Sequence, residues 1–440
     1  MGIVEPLRPY FIHCQHIVFR GMHINIEKSW IMYDIANSAY VLFACSILPI
    51  YFNDLATNSG LSSAEYLAYW SLGASIVTAV MLLIGPLVGS LSDRKGWRRP
   101  IFMGSVIIGI LASLALGIPK WWLIFLIIYI ISRIAYNASI VVYDSMLNDV
   151  TTHERMDGLS SKAFAAGYIG SCIPFVFCLV FVVFSDMMSE TAPLTFGTAF
   201  VLGIIVTAVW WFMFSLPLFK NYNQVCYNEE EHVRIRGKWA IFVETLGEIK
   251  KNPALLFFIL AFFFYIDGVY TVMELSASYG AALDLDSVGL LGALLMTQIV
   301  AFPSTLLMNR LAGRIGSHKV IYICIGGYMF IALFSLILDS LIQFFFLAFM
   351  VGLFQGAIQA LSRSYFGKMV PKDKTGEMFG ILDIFGKGAT IIGTLAVSAM
   401  TLISGEVRYI GLVLFVMFVI GLLFFIRSTR IQNYDVVITE

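Results

Sequence analysis

The chain carries little charge for its length. Of its 440 residues, 13% are Asp, Glu, Lys or Arg, whereas 59% are hydrophobic. One soluble core cannot enclose so much apolar surface, which favours a protein that lies in a lipid bilayer. The formal net charge is zero, so no basic or acidic field points to nucleic acid or to an acidic partner.

Motifs for nucleotide and metal chemistry are missing as well. No GxxxxGK[ST] phosphate loop and no HExxH occur, so we expect neither ATP hydrolysis nor zinc chemistry. The six cysteines are scattered, and none forms a CxxC pair or a Cys/His metal spacing. We therefore interpret the cysteines as packing residues and expect no metal, no cofactor and no enzymatic activity.

The first 29 residues lack the basic patch and apolar run of a secretory signal. Pro6 stands where a myristoylation signal requires Ser or Thr. Met22 precedes the polar residues His23 to Lys28, so either Met1 or Met22 is the start.

Long apolar runs are what the sequence does have. A hydrocarbon core about 30 Å thick needs roughly 20 helical residues to cross it. About twelve such runs occur, near 31–52, 66–91, 101–118, 121–147, 158–184, 194–218, 253–279, 287–309, 319–338, 341–366, 377–403 and 407–426. They are too long and too uniformly apolar for β-barrel strands. The sequence predicts an all-α membrane protein.

Lysine and arginine are distributed unevenly. If the N-terminus is inside, most of the 28 basic residues fall in cytoplasmic segments, and only Lys120 and Arg408 lie on the other side. An even helix count then places both termini in the cytoplasm. We predict a cytoplasmic segment at 1–29, six-helix bundles at 30–218 and 253–427, and a tail at 428–440. Between the bundles we predict a cytoplasmic linker at 219–252, with an interfacial helix from Trp239 to Ile249.

Two loops, GSLSDRKGWRR at 89–99 and NRLAGRIGSHK at 309–319, share Leu, Arg, Gly and a final basic residue in register. Each follows the second helix of its half, as two parallel six-helix repeats require. The first loop resembles the signature loop of the major facilitator superfamily, which implies the fold of two pseudo-symmetric bundles. Gly313 replaces the family's Asp in the second loop, so a charge-relay role is doubtful there. The candidate gating residues of these loops are Gly89, Asp93, Arg94, Gly96, Arg99 and Arg314.

A closer resemblance lies in WIMYDIANSAY at 30–40, YN at 136–137, GYIG at 167–170, TQIVAFP at 297–303, FQGAIQALSRSYF at 354–366 and DIFGK at 383–387. These stretches resemble the vacuole effluxer family and its bacterial relatives. The resemblance implies export of a small solute, with amino acids leaving the vacuole as the fungal precedent. It implies a vacuolar membrane in a eukaryote and the cytoplasmic membrane in a prokaryote. We expect a monomer.

Polar side chains inside the predicted helices fall on one face of four of them. They are Asp34, Asn37 and Ser38 on the first helix, Arg133, Tyr136, Asn137 and Asp144 on the fourth, Asp267, Tyr270, Thr271 and Glu274 on the seventh, and Gln355, Gln359 and Arg363 on the tenth. These four helices line the central cavity in the superfamily. The side chains either line a substrate cavity, since charge in mid-membrane is costly, or satisfy one another across packed helices.

We assign roles to these side chains as expectations. The substrate-binding set is Asp34, Asn37, Arg133, Tyr136, Asn137, Tyr270, Gln298, Gln355 and Gln359. Arg133 is the best candidate for an anionic group, because guanidinium binds a carboxylate bidentately and stays charged. The alternative for Arg133 is a buried pair with Asp34 or Asp267.

The remaining charged residues have gating or coupling roles. Asp144 and Arg363 lie nearer the cytoplasmic ends, where they either pair at an inner gate or serve structure alone. Asp383 and Lys387 form an i, i+4 pair that either neutralises itself within one helix or faces the cavity. Asp267 and Glu274 have no basic neighbour on their own helix, and burial without one raises a carboxyl pKa so that it can carry a proton. They join Asp383 and Lys387 as proton-coupling candidates.

These features predict a secondary active transporter for a small polar or zwitterionic solute, coupled to protons. A lipid or amphiphile translocase on the same fold and a membrane receptor that does not transport are the alternatives. Since no nucleotide-binding domain is present, an ion or solute gradient is expected to drive transport.

Overall fold

The computed structural model describes residues 20–61, 63–187, 196–228, 238–282, 287–386, 400 and 409–439. Within these ranges the backbone is helical except for short turns and loops, and one isolated bridge pairs Arg94 with Asn228. The prediction of an all-α protein is confirmed.

The first half contains six long helices and one short one. They are α1 (Arg20–Asn58), α2 (Ser63–Ser92), α3 (Arg98–Ala115), α4 (Trp122–Ser145), the short α5 (Leu147–Val150), α6 (Met156–Met187) and α7 (Phe196–Asn221). A connecting helix, α8 (Lys238–Lys251), covers the segment for which an interfacial helix is predicted.

The second half follows the same plan. Its helices are α9 (Pro253–Ala282), α10 (Ser287–Ile315), α11 (Ser317–Phe334), α12 (Leu341–Met369), α13 (375–386) and α14 (Ile410–Thr439). In the part of the chain that is described, 11 helices are long and apolar enough to cross a membrane. The predicted run at 377–403 begins in α13 and continues outside the described residues, so about twelve spans is consistent with the structure.

Turn residues explain several helix ends. Gly96 and Gly316 have φ angles of +77° and +93° in the two loops of the repeat, and such angles favour glycine because it has no Cβ. At the start of α12, Ser340 and Gln343 form a capping box, in which each side chain satisfies a backbone N–H of the other.

Each half has its own apolar core. One cluster of buried side chains runs from Trp30 to Tyr222, and the other runs from Ile249 to Phe425. Within the first half α1 packs against α6 and α7, and within the second half α9 packs against α14 and α10 against α12. Contacts of α6 with α10 and α12 join the halves. Two cores joined along one interface are typical of two bundles that can move against each other.

We call one end of the molecule the basic end, since its loops carry the basic residues Arg94, Lys95, Arg155, Lys372 and Lys374. It contains the loops at 93–97, 151–155, 222–228 and 370–374. The turns at 59–61, 116–121 and 338–340 lie at the opposite end, as the alternation of helix direction requires.

Candidate functional site

Arg363 of α12 is the centre of a contact between the halves. It is 6% exposed, and its Nη2 donates to Asp34 Oδ2 on α1 at 3.2 Å. Nη1 donates to Asp144 Oδ1 on α4 at 3.1 Å, and Nε donates to Ser160 Oγ on α6 at 2.9 Å. The rings that flank the guanidinium belong to Phe164, Trp30 and Tyr143. One cation of the second half therefore neutralises two carboxylates of the first half, of which Asp34 is buried and Asp144 is partly buried.

This arrangement brings together three predicted site residues. Asp144 and Arg363 form an ion pair, which is one of the two alternatives that the sequence left open. Asp34, predicted to bind substrate, binds the same guanidinium. Their role in gating stays a prediction.

The signature loop makes a second contact between the halves, at the basic end. Asp93 is 4% exposed and accepts hydrogen bonds from the backbone N–H groups of Gly376 (2.8 Å) and Glu377 (2.9 Å), at the start of α13. A carboxylate at a helix N-terminus accepts hydrogen bonds from the unpaired N–H groups and interacts favourably with the positive end of the helix dipole. Arg98 binds the same carboxylate and donates to Thr375 Oγ1 at 3.1 Å. Burial raises the pKa of Asp93 to about 6, and Arg98 and the two amides act in the opposite direction.

Other predicted residues of the loop lie around this contact. Arg94 stacks on Trp97, with 5.9 Å between its guanidinium carbon and the ring centroid, and Arg99 is partly exposed. Arg98, which was not among the predicted gating residues, is the fully buried arginine of the loop. Its buried partner Asp149, on α5, was also missed. A motif comparison does not reveal which of two adjacent arginines turns inward.

The second loop of the repeat reaches its partner differently. Its Gly313 and Arg314 are exposed, whereas Asp157, at the start of α6 in the first half, accepts a hydrogen bond from Ser317 and forms an ion pair with Lys368 (2.6 Å) of the second half. The acidic residue of this contact, Asp157, therefore lies on helix α6, whereas that of the first contact, Asp93, lies in the loop. Asp157 was not predicted, because the family pattern has its aspartate in the loop and not at the start of α6.

Arg133 lies near the middle of α4, away from these contacts. Its Nη1 is buried without a hydrogen-bond partner among the described residues. Titratable groups near it include the hydroxyls of Tyr40, Tyr129 and Tyr136, and its guanidinium carbon is 5.6 Å from the centroid of the Tyr136 ring. Asp34, considered as its partner, binds Arg363 instead. A guanidinium among phenols keeps its capacity to bind an anion.

Polar side chains of both halves meet near Tyr168 of α6. Its hydroxyl donates to Gln359 Oε1 at 3.2 Å and accepts from Gln355 Nε2 at 3.4 Å. These bonds place two predicted substrate-binding residues of α12 against the first half. Tyr168 itself lies in GYIG at 167–170, which resembles the family, but it was not predicted as a site residue.

The other predicted binding residues are placed as follows. Asn37 donates to Tyr33 O at 3.0 Å, and the Oδ1 of Asn137 is buried without a partner among the described residues. Tyr270 is partly buried on α9, and Gln298 is partly buried on α10.

Two of the four proton-coupling candidates can be placed. Asp267 of α9 is fully buried, and its Oδ1 accepts from Thr271 at 3.4 Å. Asp383 is partly buried on α13. The side chain of Glu274 and the whole of Lys387 lie outside the described residues. Within the described ranges, no group of three or more His, Cys, Asp or Glu residues could hold a metal ion.

Sequence comparisons give the chain a family. The model of the family described as "Vacuole effluxer Atg22 like" matches residues 25–432. An uncharacterized MFS-type transporter, YxiO of Bacillus subtilis, is 36% identical over 399 residues, which cover 90% of this chain and 93% of the relative. Autophagy-related protein 22 of Eremothecium gossypii is 20% identical over 469 aligned residues, covering 92% of this chain and 90% of that protein.

Solved structures share the fold. FucP, a major facilitator superfamily transporter in its outward conformation, has a TM-score of 0.68 at 14% identity, covering 92% of this chain and 98% of that one. A bacterial homologue of the iron transporter ferroportin, in an outward-facing state, has a TM-score of 0.66 at 12% identity and covers 93% and 99%. The chain is a multi-pass membrane transporter of the major facilitator kind, and it belongs to the Atg22-like vacuole effluxer family.

Proposed function

We propose that the chain is a secondary active transporter that moves a small polar or zwitterionic solute, such as an amino acid, by alternating access. The observation that carries the proposal is the guanidinium of Arg133, whose Nη1 is buried without a hydrogen-bond partner among the described residues. A cation in mid-membrane is costly unless a ligand or partner compensates it. A substrate carboxylate supplies both the opposite charge and two acceptor oxygens.

The exposure of α1 residues near Arg133 supports access to it from the opposite end. Asp34 and Cys45 are eleven residues apart on α1, close to three helical turns, so they share one face. Asp34 is 5% exposed, whereas Cys45 is exposed. Cys45 is among the titratable neighbours of Arg133. Exposure thus increases along this face from Asp34 to Cys45, and we propose that a solute enters from the opposite end and meets Arg133 first.

The contacts of Arg363, Asp93 and Asp157 are assigned to the closed gate of this conformation. We propose that the basic end faces the cytoplasm, since cytoplasmic loops carry an excess of Lys and Arg. Both termini are then cytoplasmic, and bundles 30–218 and 253–427 rock about the solute with 219–252 as the linker. In the other conformation the gate opens and the solute passes to or from the cytoplasm.

Proton coupling is assigned to Asp267, Glu274, Asp383 and Lys387. The full burial of Asp267 supports this assignment, because a buried carboxyl exchanges a proton when its surroundings change. Transport out of the cytoplasm, driven by a proton gradient, follows the resemblance to effluxers. If Asp267→Asn and Glu274→Gln both kept gradient-driven transport, the coupling assignment would be wrong.

A thermal-shift screen of the purified protein against amino acids, peptides and organic acids tests the anion site. We expect a carboxylate solute to raise the melting temperature of the native protein and of Arg430→Ala, which removes an exposed arginine, but not of Arg133→Ala. Counterflow of that solute in reconstituted vesicles then tests transport. Stabilisation that survives Arg133→Ala contradicts the anion site, and binding without counterflow favours a receptor. Stabilisation by lipids alone favours a translocase.

A further inference from the structure

The seven residues after α7, Tyr222–Asn228, lie across the basic end of the first half, and we call them the linker strap. Gln224 bridges the turn of the signature loop. Its Oε1 accepts from the backbone N–H of Gly96 at 2.8 Å, and its Nε2 donates to the carbonyl of Ser92 at 3.1 Å. The N–H of Asn228 donates to the carbonyl of Asp93 at 2.8 Å. The strap thus binds the turn backbone at three points.

The strap also holds the ionic partners of the turn. Asp149 Oδ1 accepts from the backbone N–H of Cys226 at 2.7 Å, and Oδ2 accepts from the Tyr222 hydroxyl. The same Oδ2 accepts from Arg98 Nη1 at 2.7 Å. Since Arg98 binds Asp93 through Nη2, a continuous series of contacts leads from the strap to the carboxylate that binds α13.

The turn needs these partners because of its own geometry. Ser92 ends α2, where the last carbonyls have no intrahelical partner. Gly96 has a φ of +77°, which turns its N–H away from a helical partner. Backbone groups that lose their partner on burial carry a desolvation penalty, and Ser92 is fully buried.

We propose that the linker strap is a positioning element of the gate and that Gln224 is its positioning residue. It holds the signature turn in the conformation that directs the Asp93 carboxylate at the N–H groups of Gly376 and Glu377. The connection between the two halves therefore takes part in closing the basic end. The inference rests on the proposed alternating-access function.

Spin labels across the basic end test this role. Glu154→Cys in the first half and Lys319→Cys in the second are both exposed sites, and they are labelled in a full-length chain whose six native cysteines are replaced. Double electron–electron resonance in nanodiscs then measures the distance between the halves without any solute. We expect Gln224→Ala to raise the ratio of open to closed basic ends roughly tenfold, as loss of two hydrogen bonds, one exposed and one partly buried, implies. Asn228→Pro removes another bond of the strap and is expected to act in the same direction.

Gln343→Ala is the matched control. It also removes side-chain bonds to two backbone N–H groups, those of Asp339 and Ser340, but at the opposite end. We expect it to lower the melting temperature while leaving the distances unchanged, which separates positioning from general stability. Asp93→Asn shows how far the distances shift when the gate itself is weakened.

Two results would overturn the inference in distinguishable ways. If Asp93→Asn lengthens the distances and both strap variants leave them unchanged, the strap is only a tether and the transporter proposal stands. If no variant, Asp93→Asn included, and no stabilising solute changes the distances, alternating access fails and the strap's role fails with it.

Discussion

Two arginines in the membrane region show how surroundings decide a residue's role. Arg363 donates to the carboxylates of Asp34 and Asp144 and lies between aromatic rings. Arg133 has phenols as neighbours and a buried Nη1 without a partner among the described residues. A guanidinium that is already neutralised is suited to hold helices together, whereas one without a counter-charge is suited to bind an incoming anion.

Removing the charge of Arg363 should therefore be severe. Arg363→Met leaves the buried carboxylate of Asp34 and the partly buried carboxylate of Asp144 without their cation, and we expect the free energy of unfolding to fall by about 3–5 kcal/mol. Equilibrium unfolding of the purified protein measures the loss. The triple variant Arg363→Met, Asp34→Asn, Asp144→Asn should recover part of it, because no unpaired charge remains. A triple variant as unstable as the single one would show that the carboxylates are not the cause.

At the scale of elements, the crossing of α2 and α13 depends on glycines spaced four residues apart. Gly85 and Gly89 of α2 face Gly380 and Gly376 of α13, and a Cβ at Gly89 would overlap the Gly376 carbonyl oxygen. Small residues at this spacing allow the backbones of two membrane helices to touch. This close approach brings Asp93, four residues after Gly89, to the first N–H groups of α13.

Gly89→Ala should keep the basic end from closing, since the obstacle is backbone that cannot move aside. We expect faster labelling of Ala360→Cys, a site that is fully buried in the closed end, by an impermeant maleimide added at the basic end. Gly104→Ala of α3 is the control, because a Cβ there meets nothing within 4 Å. Equal labelling rates in the two variants would contradict the assigned role of the crossing.

At the scale of the whole molecule, the two halves contact each other at two sites that differ in whether a loop or a helix supplies the carboxylate. In one, the loop supplies Asp93 and the helix supplies N–H groups. In the other, α6 supplies Asp157, while Ser317 and Lys368 come from the second half. The contact of Arg363 joins the halves as well, so closure at the basic end is divided among three sites.

Because the contacts of Asp93 and Asp157 share no partner, their effects should be independent. We expect Asp93→Asn and Asp157→Asn each to shift the spin-label distances towards the open form. In the double variant the free-energy changes should add to within about 0.5 kcal/mol. A larger deviation would indicate that the two sites act as one unit.

Much of the architecture could be read from residue patterns. Apolar runs of about twenty residues can lie only across lipid or inside a large core, so the helices from 63 to 369 were predicted to within a few residues of their observed ends. The family stretches predicted membership of the effluxer family, which the comparisons confirm. The positions of the polar residues predicted a pair of Asp144 with Arg363 as one of two alternatives, but they did not indicate that Asp34 binds the same guanidinium.

The sequence by itself determined the number of helices, the repeat and the family, because these depend on local hydrophobicity and on motifs that are contiguous in the chain. Only the tertiary structure decided which charges are paired. Asp34 and Arg363 are 329 residues apart, and Gln224 reaches Gly96 across 128, so no local pattern records either contact. Charge pairing is a property of where helices meet, and that is why Asp34 is removed as a partner of Arg133, the predicted anion site, only once the partners of Arg363 are known.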